Sequence, residues 1–372
     1  MKVLFTTNIP SPYRIDFFNE LSRYCDLTVA IERKKADDRK EEWTKFKNIQ
    51  FNIIEMNGIN VGKDTAFCPQ IIKIVKNNDF DIIVVGGYST PTGMLLIQYL
   101  RRHKISFILN CDGGMKKDIE RKLIYRMKKY FISSATYWLS SGKITNEYLE
   151  HYGANKKYIY NYPFTSIRNS NIIKPILEDE KNKLKNTIGI KSKYVVITVG
   201  SFIHRKGFDI LIRAAQYIKV DVEVIIIGDK PSKEYIDIIK ELNVKNVKFV
   251  DFMNKEDLEL YYQVADIFVL PTREDIWGLV VNEAMAKGLP IITTNKCGAG
   301  LELIKDEENG YMVPVEDYKA IAEKINLIIE DEKLKEKMIF NNINKIKAYT
   351  IENMARQHYN IFQEIIEKEN SK

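Results

Sequence analysis

Val199-Gly200-Ser201-Phe202-Ile203-His204-Arg205-Lys206-Gly207-Phe208-Asp209 is the stretch on which the reading of this sequence turns. An apolar run, Val195–Val199, leads into it, and an amphipathic run, Gly207–Ile218, leaves it. That is a strand, a loop and a helix in sequence. Gly200 and Ser201 let a ligand come close to the backbone. Arg205 and Lys206 stand just before the expected helix start. Two cations beside a helix N-terminus suit a pyrophosphate. Taken alone, the stretch reads equally well as a glycine turn carrying two solvated basic residues.

A second stretch lies downstream. The strand Ile267–Leu270 opens into Pro271-Thr272-Arg273-Glu274-Asp275-Ile276-Trp277-Gly278, and a helix over Gly278–Lys287 follows, stopped by Lys287-Gly288 and Pro290. Glu283 falls inside that helix, where its carboxylate can accept from two vicinal hydroxyls, as on a ribose. Asp275 lies in the loop near the helix's positive end, placed for the hydroxyls of a second sugar. The alternatives are a core-satisfying Glu283 and a helix-capping Asp275. The cost of burying an unpaired carboxylate favours a ligand for Glu283.

Outward from these stretches, short apolar strands alternate with amphipathic helices along most of the chain. Strands are expected at Lys2–Thr7, Leu27–Ile31, Ile49–Ile54, Ile82–Val85, Ser106–Asn110 and Thr136–Leu139. Helices are expected at Tyr13–Tyr24, Cys68–Lys76, Gly93–His103, Met115–Ile132 and Lys143–Tyr152. A polar stretch, Thr165–Lys174, reads as a linker. Beyond it come strands at Val195–Val199, Glu223–Ile227, Val247–Val250, Ile267–Leu270 and Pro290–Thr294. Helices there are Gly207–Ile218, Ser232–Leu242, Lys255–Ala265 and Gly278–Lys287, and three helical segments close the chain. The pattern is α/β: two Rossmann-like halves, each a parallel sheet covered on both faces, facing a cleft.

The 372 residues, 45% hydrophobic and 29% charged, suit two globular domains and exclude a disordered or fibrous chain. No run has the roughly 18 apolar residues of a membrane span, and the opening turns polar at Thr6, too soon for a secretory signal. Four cysteines, at 25, 68, 111 and 297, show no CxxC spacing, so a reduced, cytoplasmic protein is expected. Residues 1–175 carry 28 Lys+Arg against 17 Asp+Glu, while 176–372 carry 29 against 33. The first half therefore suits an anionic partner. No nucleic-acid motif accompanies the charge, so an anionic membrane face or a phosphorylated acceptor is expected instead.

Gly200, Ser201, Arg205, Lys206, Gly207 and Asp209, followed by Glu283-Ala284-Met285-Ala286-Lys287-Gly288-Leu289-Pro290, resemble glycosyltransferase family 4, a family of retaining GT-B enzymes. The likeness covers about 187–345; the first half is similar only in layout. The resemblance implies an N-terminal acceptor-binding domain at 1–165 and a nucleotide-sugar-binding domain at 166–348. A C-terminal helix at 349–372 would pack back on the first domain. It implies transfer of a hexose or N-acetylhexosamine from a nucleotide-sugar, a UDP-sugar by expectation, to a saccharide or lipid-linked acceptor, in surface polysaccharide or glycoconjugate assembly. The nucleotide would sit on Gly200, Ser201, Gly278, Leu279 and Glu283. Catalysis would fall to Arg205, Lys206, Asp275 and Asp112, without metal and without a cofactor beyond the donor. Rival readings are a nucleotide-sugar epimerase on the same fold and a silent partner of an active transferase.

The sequence departs from the family pattern at two places. Asp275, with Glu274 beside it, stands where the family has its first Glu, and either acid can take that role. Asp112-Gly113-Gly114 stands where many members present a His; Asp112 then faces the donor sugar or the acceptor, or merely caps a turn. The loop Thr7–Arg14 would line the acceptor side, with Arg14 either meeting a phosphate or exposed. Asp79-Phe80-Asp81 resembles a metal-binding aspartate pair but precedes a strand and reads as a turn. The four histidines, His103, His151, His204 and His358, have no ligand spacing. Finally, Met115, Ile119, Leu123, Met127 and Phe131 recur every four residues and predict a buried helical stripe. Lys116, Lys117, Arg121, Lys122, Arg126, Lys128 and Lys129 crowd its other faces, either as a dock for the inner face of a membrane or as a solvated surface.

Overall fold

Val3, Leu4 and Phe5 are all fully buried, so the first strand is covered on both faces, as strands of a parallel sheet are. A computed structural model describes residues 1–34, 48–117, 119–173 and 175–371 of the chain. The chain forms two units. One comprises Met1–Ser166 together with Thr350–Lys372, the other Ile167–Tyr349.

In the first unit the elements run β1 (Lys2–Thr7), α1 (Pro12–Leu21), β2 (Asp26–Ile31), β3 (Asn52–Glu55), β4 (Ile59–Val61), β5 (Thr65–Phe67), α2 (Gln70–Lys76), β6 (Ile82–Val85) and α3 (Pro91–Arg102). They continue with β7 (Ile108–Cys111), α4 (Lys122–Ile132), β8 (Tyr137–Ser140), α5 (Lys143–His151) and β9 (Ile159–Asn161). Seven strands form a parallel sheet in the order β3-β2-β1-β6-β7-β8-β9, and β4 and β5 make a separate antiparallel hairpin. Thr90 starts α3 by accepting from the Gly93 N–H, with Pro91 in the first turn.

The second unit runs α6 (Glu178–Thr187), β10 (Tyr194–Val199), α7 (Phe208–Ala214), β11 (Val222–Gly228), α8 (Lys233–Glu241), β12 (Val247–Asp251), α9 (Lys255–Val264) and β13 (Ile267–Leu270). It ends with α10 (Leu279–Ala286), β14 (Ile291–Thr294), α11 (Gly298–Leu303), β15 (Gly310–Val313), α12 (Tyr318–Glu330) and α13 (Glu332–Ile346). Its six parallel strands lie in the order β12-β11-β10-β13-β14-β15. The order reverses direction between β10 and β13, and ligands of doubly wound sheets bind at that switch point. A last helix, α14 (Ile351–Asn370), belongs to the first unit and packs on α1.

Two expected helices differ. The helix expected at Met115–Ile132 begins only at Lys122. Gly114 lies close against the Tyr148 ring, where a Cβ would come within 2.6 Å, so only glycine fits there. The stripe expected to be buried is largely exposed, since Ile119, Leu123 and Met127 face solvent. The helix expected at Gly207–Ile218 is split into α7 and a single 3-10 turn over Ala215–Tyr217. The hairpin, β9, α6, α11 and β15 had no counterpart in the sequence reading, because each is short or weakly patterned.

Candidate functional site

In the second unit, the loops after β10 and β13 leave neighbouring strands at the switch point. The first loop passes through one 3-10 turn, His204–Lys206, into Gly207, which has φ of +68°. A Cβ on Gly207 would lie 2.0 Å from the Pro271 carbonyl oxygen, so only glycine lets the two loops meet this closely. The contact is then stitched by hydrogen bonds. The Arg205 carbonyl accepts from the Thr272 hydroxyl and the Arg273 N–H, both at 2.8 Å, and the His204 carbonyl accepts from Arg273 Nη1 at 2.7 Å. Arg273 also grips Asp209 through two bonds of 2.8 and 2.7 Å and pairs with Glu316. Its hydrogen bonds to Asp209 hold its charge above even the usual guanidinium range. Asp209 thus serves loop architecture.

The stitched loops bring the charged residues together. Lys206 Nζ lies 2.7 Å and Arg205 Nη1 3.3 Å from Asp275 Oδ2. Asp275 is only 7% exposed, and its backbone is pinned to Lys296 and Gly298 at 2.9 Å each. The neighbouring Glu274 side chain is exposed, while its carbonyl accepts from Arg205 Nη1 at 2.7 Å. Gly278, with φ of +96°, turns the chain into α10, whose first residue is Leu279. Trp277 Nε1 donates to Asn282 at 2.9 Å and closes that turn. Glu283 is half-buried on α10, and its Oε2 accepts from the Tyr262 hydroxyl at 3.3 Å. Burial, and then Glu283, push that phenol well above its ordinary range, so it remains a donor. Gly200 and Ser201 begin the first loop, Gly200 donating to the Ile227 carbonyl at 2.9 Å. Arg205 and Lys206 thus present two cations at one point between the loops, which suits a diphosphate.

In the first unit, Asp112 follows β7 and is held from three directions. Asn110 Nδ2 and the Tyr162 hydroxyl donate to Oδ1 at 2.7 and 2.6 Å, and Arg14 pairs with Oδ2. Arg14 is 5% exposed among Phe5, Tyr13, Phe17 and Phe18, so the structure commits it to Asp112 rather than to a free phosphate or to solvent. Burial opposes its charge most, but Asp112, Tyr13 and Tyr162 together outweigh burial and raise its pKa. Burial raises Tyr162 well above its usual range, with Asp112 adding to the effect. His358 of α14 stacks near Phe17 and Tyr162, with centroids at 4.6 and 4.5 Å, and burial lowers it to about 4. Asp81 lies at the other end of the sheet, where it accepts from the Lys2 N–H at 2.7 Å.

Sequence reasoning missed Arg273, Tyr162 and His358. Arg273 stood inside the acidic loop after β13, and an arginine facing an aspartate in the partner loop was its one available signal. Tyr162 follows a three-residue strand too short to read.

Two parallel sheets with these strand orders, and a basic loop facing an acidic loop at the second unit's switch point, define a GT-B protein. Residues 180–345 match the family model for glycosyl transferases group 1, and the unit carrying these loops belongs to that family. Among curated relatives, the capsular polysaccharide biosynthesis glycosyltransferase CapM of Staphylococcus aureus is 32% identical over 194 residues, 50% of each chain. The match thus spans about half the length of that relative. The N,N'-diacetylbacillosaminyl-diphospho-undecaprenol alpha-1,3-N-acetylgalactosaminyltransferase of Campylobacter jejuni is 24% identical over 85% of each chain. Among solved structures, HepE of Anabaena in complex with UDP superposes with a TM-score of 0.79 over 100% of both chains at 18% identity, a likeness of fold.

Proposed function

We propose that this protein is a retaining glycosyltransferase that moves a hexose or N-acetylhexosamine from a UDP-sugar to a saccharide or lipid-linked acceptor. The observation that carries the reading is the pairing of Arg205 and Lys206 with buried Asp275 at the second switch point. The diphosphate lies on the two cations, and Glu283 accepts from the ribose hydroxyls. Asp275 turns toward the donor sugar. The bond from the anomeric carbon to the phosphate oxygen breaks, and a bond to the acceptor oxygen forms on the same face. The acceptor proton passes to the departing phosphate, whose growing charge Arg205 and Lys206 stabilise. Asp112, held by Arg14 and Tyr162, is the first unit's polar group for the donor sugar or the acceptor hydroxyl.

The HepE complex with UDP supports the choice of base, and the named activities of CapM and the Campylobacter enzyme support a polysaccharide or lipid-diphosphate acceptor. The reaction proceeds without a divalent metal.

The test combines two measurements. A thermal-shift screen of UDP, GDP and ADP should give its largest rise with UDP. NMR of the product from a UDP-sugar and a lipid-diphosphate or saccharide acceptor should show the donor's anomeric configuration kept. Epimerised donor without acceptor, or no turnover with any acceptor, would overturn the reading.

A further inference from the structure

We infer that Tyr262 of α9 is a positioning residue for donor recognition. Its hydroxyl holds the Glu283 carboxylate in the plane from which it accepts both ribose hydroxyls, and so lets the site tell a ribonucleotide from its deoxy counterpart. The inference rests on the proposed ribose role of Glu283.

Packing alone does not call for a hydroxyl at position 262. The side chain is 3% exposed, and its ring centroid lies 6.2 Å from that of Phe268 on β13, a contact that phenylalanine makes equally well. A hydroxyl buried in such surroundings costs free energy unless it is bonded. Its bond runs to Glu283 Oε2 at 3.3 Å. Burial, and then the carboxylate itself, oppose ionisation of the phenol, so the hydroxyl stays a donor.

The bond matters because of where Glu283 stands. Residues three and four apart share a helix face. Glu283 and Lys287 therefore lie on one face of α10, and Glu259 and Tyr262 on one face of α9. Two polar contacts join these faces. Lys287 pairs with Glu259, and donates besides to the Asn171 carbonyl at 2.8 Å, while Tyr262 donates to Glu283. The first contact fixes the end of α10, and the second fixes a carboxylate near its middle. The last torsion of a glutamate has no sharp preference, so a donor on one oxygen sets the plane of the group. A carboxylate offers about four lone-pair sites on its two oxygens, enough to accept the phenol and two vicinal hydroxyls together. A carboxylate oriented in advance loses less freedom when the diol arrives. That gain falls on the ribose hydroxyls and on no other part of the donor.

The experiment is calorimetric titration of the full chain with UDP and with the dideoxy analogue of UDP that lacks both ribose hydroxyls. The proteins compared are the wild type, Tyr262→Phe, Glu283→Gln and Glu259→Gln. Tyr262→Phe keeps the ring and its packing. It should weaken UDP binding about fivefold and leave the affinity for the analogue unchanged. KM for the UDP-sugar should rise by the same factor, with turnover at saturating donor kept. Glu259→Gln loosens the other contact between the two helices and should leave the ratio of UDP to analogue affinity as in the wild type. Equal loss of both ligands in Tyr262→Phe would assign the residue to packing and overturn the inference. So would a ratio that falls as far in Glu259→Gln. Full UDP affinity in Tyr262→Phe, beside a lowered ratio in Glu283→Gln, would overturn it and leave the ribose role of Glu283 standing. An unchanged ratio in Glu283→Gln would remove that role and the inference together.

Discussion

Asp275 and Lys206 are ion-paired at 2.7 Å, with Arg205 at 3.3 Å from the same carboxylate oxygen. The acid occupies the cations that a diphosphate would need, so donor binding has to compete with it. Asp275→Asn should therefore bind UDP alone about tenfold more tightly, by removing a like charge beside the incoming phosphates. Turnover should fall nonetheless, since the carboxylate is lost from the sugar. Calorimetric titration with UDP, beside turnover with the full donor, separates the two effects. Weaker UDP binding in Asp275→Asn would show that the acid assists the phosphate site.

Glu283 offers the opposite outcome. It lies on α10 and is bonded to Tyr262. Glu283→Gln should weaken UDP binding about tenfold, since an amide accepts less well from two hydroxyls than a carboxylate does. The same titration reads it, and unchanged affinity would remove the ribose assignment.

Arg205 and Lys206 differ in what their removal costs the fold. Arg205 is exposed, whereas Lys206 is largely buried against Asp275. Arg205→Ala should cost about 2–4 kcal/mol in the transition state and little stability. Lys206→Ala should cost as much in turnover and about 1 kcal/mol of stability, because the buried Asp275 carboxylate keeps only exposed Arg205 as its cation. Adding Asp275→Asn should restore the melting temperature of Lys206→Ala but not its turnover. Near-normal activity in both single variants would end the phosphate-site assignment.

The sheets were legible from sequence because their strands are apolar runs stopped by glycine or polar loops, as at Val195–Val199 and Ile267–Leu270. Positions in the loops that follow those two strands were legible for the same reason. Partners were not. Asp112 meets Tyr162 across 50 residues and Arg14 across 98, separations that no local pattern encodes. The period of four in α4 was real, but periodicity names a stripe without naming the side that packs. The inward stripe is instead that of Tyr125, Lys128 and Ile132, where Glu120 pairs with the lysine and the Tyr152 hydroxyl bonds both.

Arg273 holds the loop after β10 without belonging to it. It bonds the His204 carbonyl, both oxygens of Asp209, and Glu316. A lysine keeps the charge but cannot reproduce this fork. Arg273→Lys should lower stability by about 2 kcal/mol and weaken UDP binding, with turnover at saturating donor falling less than affinity. Thermal melts and titration measure both. Full UDP affinity in a destabilised Arg273→Lys would confine the residue to general stability.

His358 ties the stability of the first unit to acid. It is wholly buried between Phe17 and Tyr162, donates from Nδ1 to the Met354 carbonyl at 2.8 Å, and is lowered to about 4 by burial. The unfolded imidazole takes its proton near pH 6.5. Between that pH and about 4 the unfolded chain binds a proton that the folded chain does not, so stability falls as pH falls through this window. Above pH 6.5 both states are neutral and the effect vanishes. The full contribution is roughly 3 kcal/mol. His358→Phe keeps an aromatic ring against Phe17 and removes the titration. Its melting temperature should therefore drop less than that of the wild type between about pH 7 and about pH 5, two points flanking the upper part of the window. Denaturation scans of the two proteins at both pH values give the comparison. Parallel losses in both would show that acid acts elsewhere, on the carboxylates, and that His358 titrates alike in the folded and unfolded states.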